Sequence, residues 1–438
     1  MPTIAAIATP PGRGGVGVIR ISGPEAGAIA GQLCDRSEPW PERRAVLARF
    51  MDEEGATLDQ GLVLYFPAPH SYTGEDVVEL QAHGSPVLLR AILARALDLG
   101  ARMAGPGEFT RRAVANGRMT LDQAEAVAAC IDAATLRAAR QAERHLAGEF
   151  GHFVSGLMEE ITHVLAHVEA CLDFPEEDVP APLFGELRSR VERELLAPIE
   201  ASLKTAAFGE RLFQGATVAI IGAPNVGKSS LLNRLAGRER AIVSDIPGTT
   251  RDVLEVEFEV AGIPVRLADT AGLRDSADAI EREGVRRARQ AAGSADVTLL
   301  VADATRPETW DVDAPADIRL MNKVDLVETP GAWAEAFLPV SAVTGEGIDQ
   351  VVEAMAQRLE AMPAAEEGLV VTRERHRRLL EQARMRLEAG LAMLGDAASL
   401  DLVALEWRGA WSALGEILGL GDVEAILDRV FSEFCIGK

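Results

Sequence analysis

The apolar residues of this chain fall in short runs whose spacing changes along its length. Up to residue 117 the runs alternate with Gly-, Pro- and Ser-bearing turns, which predicts strands over Thr3–Ala8, Gly17–Ser22, Ala45–Phe50, Gly61–Phe66 and Asp76–Ala82. Ser85-Pro86 then opens a helix that Gly100 closes. Serine suits the N-cap, proline the first turn and glycine the left-handed position past the end. From Thr120 the period lengthens. Thr120-Leu-Asp-Gln123 reads as a capping box, and an Ala- and Leu-rich helical stretch follows to about Ala170. Prolines and acids across Asp173–Pro182 interrupt it, and helical sequence resumes from Leu183 to about Phe208. Apolar runs at Ala216–Ile221, Ile263–Ala268, Val297–Ala302 and Phe337–Val340 then read as strands. Beyond Met362-Pro363 helical periodicity returns and continues to Phe434. The expected organisation is an α+β domain over 1–117, a helical domain split between 118–214 and 360–438, and an α/β domain inserted at 215–359. Such an insertion is tolerated when the inserted domain's termini lie close together.

The chemistry sits where those apolar runs end. Ala216–Ile221 runs into Gly222-Ala-Pro-Asn-Val-Gly-Lys228-Ser229, which reads G-x-x-x-x-G-K-S. Glycines let backbone N–H groups turn inward around a polyphosphate, a lysine reaches the β- and γ-phosphates, and a serine hydroxyl ligates Mg²⁺. The helix that follows points its positive end at the same phosphates. Downstream, in order, come Gly248-Thr249-Thr250-Arg251-Asp252, Asp269-Thr270-Ala271-Gly272, Asn322-Lys323-Val324-Asp325 and Ser341-Ala342. This ordered set resembles that of Ras-like GTPases, which implies a doubly wound, mostly parallel sheet. Asp325 accepts from the guanine N1–H and exocyclic amine, a donor pair that adenine lacks. Asn322 and the Lys323 stem hold the loop and cover the base, and Ser341-Ala342 presents an N–H to the guanine O6. Ser229 and Thr250 are the expected Mg²⁺ ligands, with Asp269 acting through water and Gly272 near the γ-phosphate. Val226, Gly227, Ser230, Asp245, Pro247, Thr270 and Ala271 complete the expected nucleotide shell.

Hydrolysis needs a positioned water. After Asp-Thr-Ala-Gly many GTPases carry a glutamine, but this chain carries Leu273, which cannot orient water. Glu281, within Arg274–Arg287, is one candidate, and a partner's residue is another. Charge stabilisation has a separate candidate: Asn225 with the switch segment Ser244–Thr249 can enclose a monovalent cation where an arginine finger would otherwise sit.

Composition narrows the setting. A chain of 438 residues holds about two to four domains. With 48% hydrophobic residues and a mean hydropathy of +0.07, it reads as soluble and globular, and its apolar runs are too short for a membrane span. Met1-Pro-Thr-Ile lacks a basic n-region, so no secretory signal is expected. The 4 cysteines, Cys34, Cys130, Cys171 and Cys435, show no Cys-x-x-Cys spacing, which fits a reducing cytoplasm. A net charge of −23 argues against an unaided grip on RNA. The local basic cluster Arg373–Arg378 reads as a solvated helix face. His163 and His167 share a helix face but have no third ligand nearby, so they read as ordinary helix histidines.

The remaining motifs carry a more specific likeness. Pro11–Gly23, Ser71–Glu79, Gly105–Arg112 and Leu121–Ala126, together with the GTPase motifs and the terminal Cys435-Ile-Gly-Lys438, resemble the bacterial tRNA-modification GTPase family MnmE, also called TrmE. The terminal Cys-x-x-x fits prenylation poorly because Gly437 and Lys438 occupy the positions where that signal needs other residues. The resemblance spans essentially the whole chain. It implies a folate-binding, dimerising N-terminal domain, a helical domain and an inserted G domain. It also implies an FAD-containing partner, MnmG, with which the family builds a carboxymethylaminomethyl or aminomethyl group at C5 of the tRNA wobble uridine. The one-carbon unit comes from a tetrahydrofolate derivative, 5,10-methylene- or 5-formyl-tetrahydrofolate, and the tRNA is expected to be held mainly through the partner. Arg20, Glu79, Arg118 and Lys438 fall at the implied folate site, where a carboxylate suits the pterin N–H edge and cations suit the folate carboxylates. Lysine is more usual in the family at the position of Arg118. The family's K⁺ site matches Asn225, Ser244, Ile246 and Thr249, its water-orienting glutamate matches Glu281, and its candidate reactive thiol matches Cys435. In the dimer the two G domains meet on GTP and K⁺. The competing reading is an Era-like GTPase checkpoint in RNA assembly, but nothing after the G motifs resembles a KH module with its GxxG loop.

Overall fold

The structure, a computed structural model, describes residues 1–173, 181–237, 257–268, 295–306, 315–328, 335–360, 369–395 and 399–421, and then residues 427, 428, 430, 431, 434, 436 and 437. The chain forms two compact units. One comprises Met1–Ala128, Leu146–Val154 and Gly415–Lys438, and the other Ala129–His145 and Ser155–Leu414.

The first unit is built on a six-stranded sheet of β1 (Ile4–Ile7), β2 (Gly14–Ser22), β3 (Val46–Met51), β4 (Thr57–Phe66), β5 (Val77–Gly84) and β6 (Arg102–Met103), in the order β3-β4-β5-β2-β1-β6. All neighbours pair antiparallel except β1 and β6, which run parallel. Alternation along β1 sends its residues to opposite faces. Ala5 joins Ile19, Ile21, Val78 and Leu80 under α1 (Ala26–Leu33) and α2 (Pro86–Asp98). Ile4 and Ala6 join Phe109 of α3 (Glu108–Ala115) on the other face. Gly100, at φ +111°, ends α2: its N–H reaches Leu97 O at 3.0 Å and that of Ala101 reaches Ala96 O at 3.1 Å. This is a complete Schellman closure. Gly117 closes α3 in the same way, with Gly117 N to Val114 O at 3.0 Å and Arg118 N to Ala113 O at 2.8 Å.

Next come α4 (Leu121–Asp132), α5 (Leu136–Leu146), α6 (Glu149–Asp173), α7 (Ala181–Arg190), a π-helical turn at Val191–Leu196 and α8 (Ala197–Gln214). The expected single helical stretch after Thr120 is thus three helices. Thr135 starts α5 by accepting Ala138 N on its hydroxyl at 3.2 Å, and Gly148, at φ +91°, separates α5 from α6. The capping box at Thr120 holds on one side: Gln123 Oε1 accepts Thr120 N at 3.0 Å and its hydroxyl at 3.1 Å. Ser85 precedes α2 in extended conformation but makes no side-chain cap bond. His163 and His167 lie exposed on α6, and no metal-binding cluster occurs among the described residues. No helix among them is long and apolar enough to cross a membrane.

In the second unit the other sheet contains β7 (Ala216–Ile221), β8 (Glu257–Val260), β9 (Ile263–Ala268), β10 (Val297–Asp303), β11 (Ile318–Asn322) and β12 (Leu338–Pro339), in the order β12-β11-β10-β7-β9-β8. Only β8 and β9 pair antiparallel. Helix α9 (Lys228–Ala236) follows β7, and α10 (Ile348–Glu360) follows β12. Every residue of β10 is buried, as a central parallel strand requires. Strand β11 was not anticipated, because Arg319 breaks its short apolar run. The sheet core is continuous with flanking segments: Ala138, Phe208 and Leu212 of the helices, and Val370 from the stretch before Glu374, pack in one cluster with Val218, Val265 and Val297. At its edge the β8–β9 turn is tied to the start of α5, with Thr135 Oγ1 donating to Gly262 O at 2.7 Å and Arg137 to Ala261 O at 2.9 Å.

Helices α11 (Glu374–Met393) and α12 (Leu400–Leu418) complete this unit's helical part, crossing where Trp407 lies on Gly390. A Cβ on Gly390 would sit 2.3 Å from Trp407 Nε1, and one on Gly209 of α8 would sit 2.1 Å from Val371 O. Gly390→Ala and Gly209→Ala are each expected to destabilise by about 1–3 kcal/mol in thermal or urea unfolding. Gly156→Ala on α6, where a Cβ meets nothing within 4 Å, is expected to be neutral or stabilising by about 0.5–1 kcal/mol.

Candidate functional site

The loop after β7 takes its shape from residues that ordinary side chains would spoil. Gly222 has φ +145°, and a Cβ there would lie 2.2 Å from Val301 O of β10. Asn225 is left-handed at φ +64°, as is Gly227 at φ +98°. A Cβ on Gly227 would lie 2.2 Å from Asn322 Nδ2. Val226 is fully buried and anchors the loop in the core. Lys228 opens α9 and folds its ammonium back over the loop, 2.8 Å from both Gly222 O and Ala223 O. Burial pushes its pKa below the ordinary lysine value. Ser229 and Ser230 follow in the first turn of α9, where backbone N–H groups are free of helical partners.

Three loops converge on Asn322. Its buried carboxamide donates to Val226 O at 2.8 Å and accepts Ala342 N at 3.0 Å, joining the P-loop, the end of β11 and the Ser341-Ala342 loop. Lys323, left-handed at φ +66°, sends its ammonium to Asn225 O at 2.9 Å and Asp303 Oδ2 at 2.6 Å. Asp325 stands exposed in the short turn Val324–Leu326. Ser341 is fully buried; its N–H binds Glu346 O at 2.9 Å, and its hydroxyl accepts Thr344 N at 3.1 Å. Asp303 was not singled out from the sequence, although it directly follows the apolar run of β10. Burial alone would raise its pKa, but hydrogen bonds from Lys323 and Thr305 hold it below the ordinary carboxylate value. The other expected nucleotide, Mg²⁺, K⁺ and catalytic residues, Ser244, Asp245, Ile246, Pro247, Gly248, Thr249, Thr250, Asp269, Thr270, Ala271, Gly272 and Glu281, lie outside the described residues.

The other expected site lies in the first unit. Arg20 and Glu79 face each other across β2 and β5 and pair at 2.8 Å. The Arg20 guanidinium lies over the rings of Tyr72 and Phe109, 5.3 and 5.6 Å from their centroids. Arg118 is exposed past the Schellman turn of α3, its side-chain stem against Gly74. Behind this group a buried Arg112 binds Glu75 at 2.8 Å and Glu108 at 2.9 Å, and Ser22 Oγ binds Glu75 at 2.9 Å. Tyr72, Phe109 and Arg112 lie inside motifs visible in the sequence, but only the fold brings Tyr72 and Phe109 to Arg20. Cys435 and Lys438 lie outside the described residues.

A parallel sheet with one antiparallel edge hairpin, a glycine-shaped phosphate loop after its first strand and a guanine-type loop after β11 define a P-loop GTPase domain of Ras-like topology. A family model described as the MnmE helical domain matches residues 121–435, and one described as the GTP-binding protein TrmE N-terminus matches residues 3–118. The tRNA modification GTPase MnmE of Methylococcus capsulatus is 44% identical over 447 residues, covering 100% of this chain and 98% of its own. That of Parvibaculum lavamentivorans is 46% identical over 444 residues, covering 100% of both. The chain belongs to the MnmE family of tRNA modification GTPases.

Asn322→Ala orphans two buried backbone groups at about 1–3 kcal/mol each. It is expected to weaken GDP binding roughly 10–100-fold, read by fluorescent-GDP titration. The Asp303 ion pair gives a pH signature. A carboxylate held low in the folded state contributes stability that is full above its unfolded pKa of about 3.9 and is lost as pH falls through the lower folded value. Asp303→Asn is therefore expected to lower the melting temperature at pH 6 and to flatten its decline between pH 4 and pH 3 relative to wild type.

Proposed function

We propose that this chain is the GTP- and K⁺-driven subunit of a folate-dependent enzyme that modifies C5 of the wobble uridine in tRNA, working as a homodimer with an FAD-containing MnmG partner. The observation that carries the reading is the Asn322 junction between phosphate loop and base loop, in a chain that matches MnmE relatives over its full length. Division of the chain at 1–117, 118–214, 215–359 and 360–438 fits this reading, as does a cytoplasmic setting.

The residues present fit the nucleotide. Gly222 and Gly227 let the loop close against Val301 O and the Asn322 amide, Lys228 points its ammonium across the loop, and Ser229 stands at the first turn of α9 for Mg²⁺. Asp325 is exposed to meet the guanine edge, and the buried Asn322 keeps the base loop fixed while it does so. Asn225, Ser244, Ile246 and Thr249 are proposed to hold K⁺, Thr250 to complete the Mg²⁺ shell, and Glu281 to orient water. At the first unit's site, the paired Arg20 and Glu79 offer cation and carboxylate beside two aromatic faces, chemistry that suits a pterin. Arg118 and Lys438 are proposed to bind the folate carboxylates, and Cys435 to be the reactive thiol.

The test is mass spectrometry of tRNA nucleosides from cells lacking this gene, complemented with wild type, Lys228→Ala or Cys435→Ser. The modified wobble uridine is expected to vanish in the deletion and to return with wild type alone. A nucleoside profile unchanged by the deletion would overturn the tRNA reading and leave a GTPase of the checkpoint kind.

A further inference from the structure

The Ser341-Ala342 loop is gripped from a second side. Arg234 lies on α9, six positions after Lys228 and on the helix that carries the phosphate loop. Its Nε donates to Ala342 O at 3.1 Å and its Nη2 to Val343 O. The N–H of the same residue, Ala342, donates to Asn322 Oδ1 at 3.0 Å. Ala342 is thus fixed through both its donor and its acceptor, from α9 and from β11. Gly345, at φ +91°, closes the turn beneath the guanidinium; a Cβ there would sit 3.6 Å from Arg234 Cζ. Its N–H binds Ser341 O at 2.8 Å.

The loop needs such a grip. Val343 at its tip is 75% exposed, so apolar packing does little there. An open cleft of about 590 Å³, lined by Ser230, Asn233, Arg234, Thr344 and Gly345, runs along this flank. Across it the guanidinium ties helix to loop. Charge-assisted bonds to two successive carbonyls are short-ranged and directional, and the planar guanidinium fork holds both in one fixed geometry.

We propose that Arg234 is a positioning residue that clamps the guanine-facing loop Ser341–Gly345 to the phosphate-loop helix and so sets how long a guanine nucleotide stays bound. The proposal rests on the reading that this site takes GDP and GTP. Among the described residues Arg234 bonds the carbonyls of Ala342 and Val343 while Lys228 bonds those of Gly222 and Ala223, so removal of Arg234 is expected to act on residence and to leave the chemical step intact.

The test uses the purified full chain and fluorescent GDP chased with excess GDP in stopped flow, for wild type, Arg234→Ala, Arg234→Lys and Arg234→Gln. Release from Arg234→Ala is expected to be roughly tenfold faster, with association within about threefold of wild type, since affinity changes of this kind fall mainly in the off-rate. Arg234→Lys and Arg234→Gln keep a donor but lose the guanidinium's fixed fork, and are expected to fall between. In steady-state GTP hydrolysis KM rises while kcat at saturating GTP stays within about twofold. Unchanged release from Arg234→Ala, or a fall in kcat with no change in KM, overturns the proposal. If Arg234→Ala does not fold by circular dichroism, Arg234→Gln decides by the same release measurement. Failure of wild type to bind GDP overturns the guanine reading itself.

Discussion

One carboxamide fixes the nucleotide site. Asn322 ends β11, and its side chain reaches across the β10 end to the loop that follows β7. The reach is possible because these strands run parallel and end side by side, so that their C-terminal loops open on one edge. It is also possible because position 227 has no side chain: the amide nitrogen occupies the space a Cβ would need. Two requirements that look separate in sequence, a glycine before Lys228 and an asparagine before Lys323, are thus one steric and hydrogen-bonding constraint. With Asn322 in place, Val226 O and Ala342 N–H are satisfied in a dry environment, and the two loops are tied to each other. Pre-paid ordering of this kind is what makes a site bind tightly.

The same unit joins the G-domain sheet to helical sequence far away in the chain. Phe208 and Leu212 of α8 and Ala138 of α5 share the core of β7 and β9. Arg211, near the end of α8, pairs with Asp296 at 2.6 Å, and Asp296 in turn accepts Thr217 N at the start of β7. The buried segment at Val370-Val371 is held by His145 through Val370 O at 2.8 Å and by Thr205 through Val371 N at 3.1 Å. Polar links of this kind must be satisfied together, because each buried group left alone costs more than its bond contributes.

Much of this was legible in sequence because the signals were local. Strands β7 and β9 run over the same residues as their apolar runs, and β10 extends its run by one residue, since buried parallel strands are continuous in hydrophobicity. Gly100 marked the end of α2 because only a residue free at positive φ closes a Schellman turn cheaply. Strand β11 escaped notice because Arg319 interrupts it, and β6 because two residues leave no period to read. Asp303 and Arg234 escaped for a different reason. Their partners, Lys323 and Ala342, lie far along the chain, and only the sheet order brings them near. Glu79 and Arg20 were named from family motifs, but the aromatic faces beside Arg20 follow from the register of β2 against β5 and the packing of α3.

In the first unit, glycines make room for the described residues near the C-terminus. Phe431 and Phe434 pack against Ala124, their rings 5.3 Å apart, and both crowd Gly107, which is left-handed and where a Cβ would lie 2.9 Å from each. Ile436 then forms an antiparallel bridge to Pro106. Gly437 passes so close to β1 that a Cβ would lie 2.2 Å from Ile7 O. Two glycines, one in the Gly105–Arg112 motif and one in the terminal motif, therefore open the space through which the tail runs. Ile7 lies opposite Ile19 in the β1–β2 ladder, next to the Ala6–Arg20 pair. Gly437 thus lies beside the strand pair that carries Arg20, and the steric demand on it is a structural reason for this residue in the terminal motif, separate from any chemistry of its neighbours.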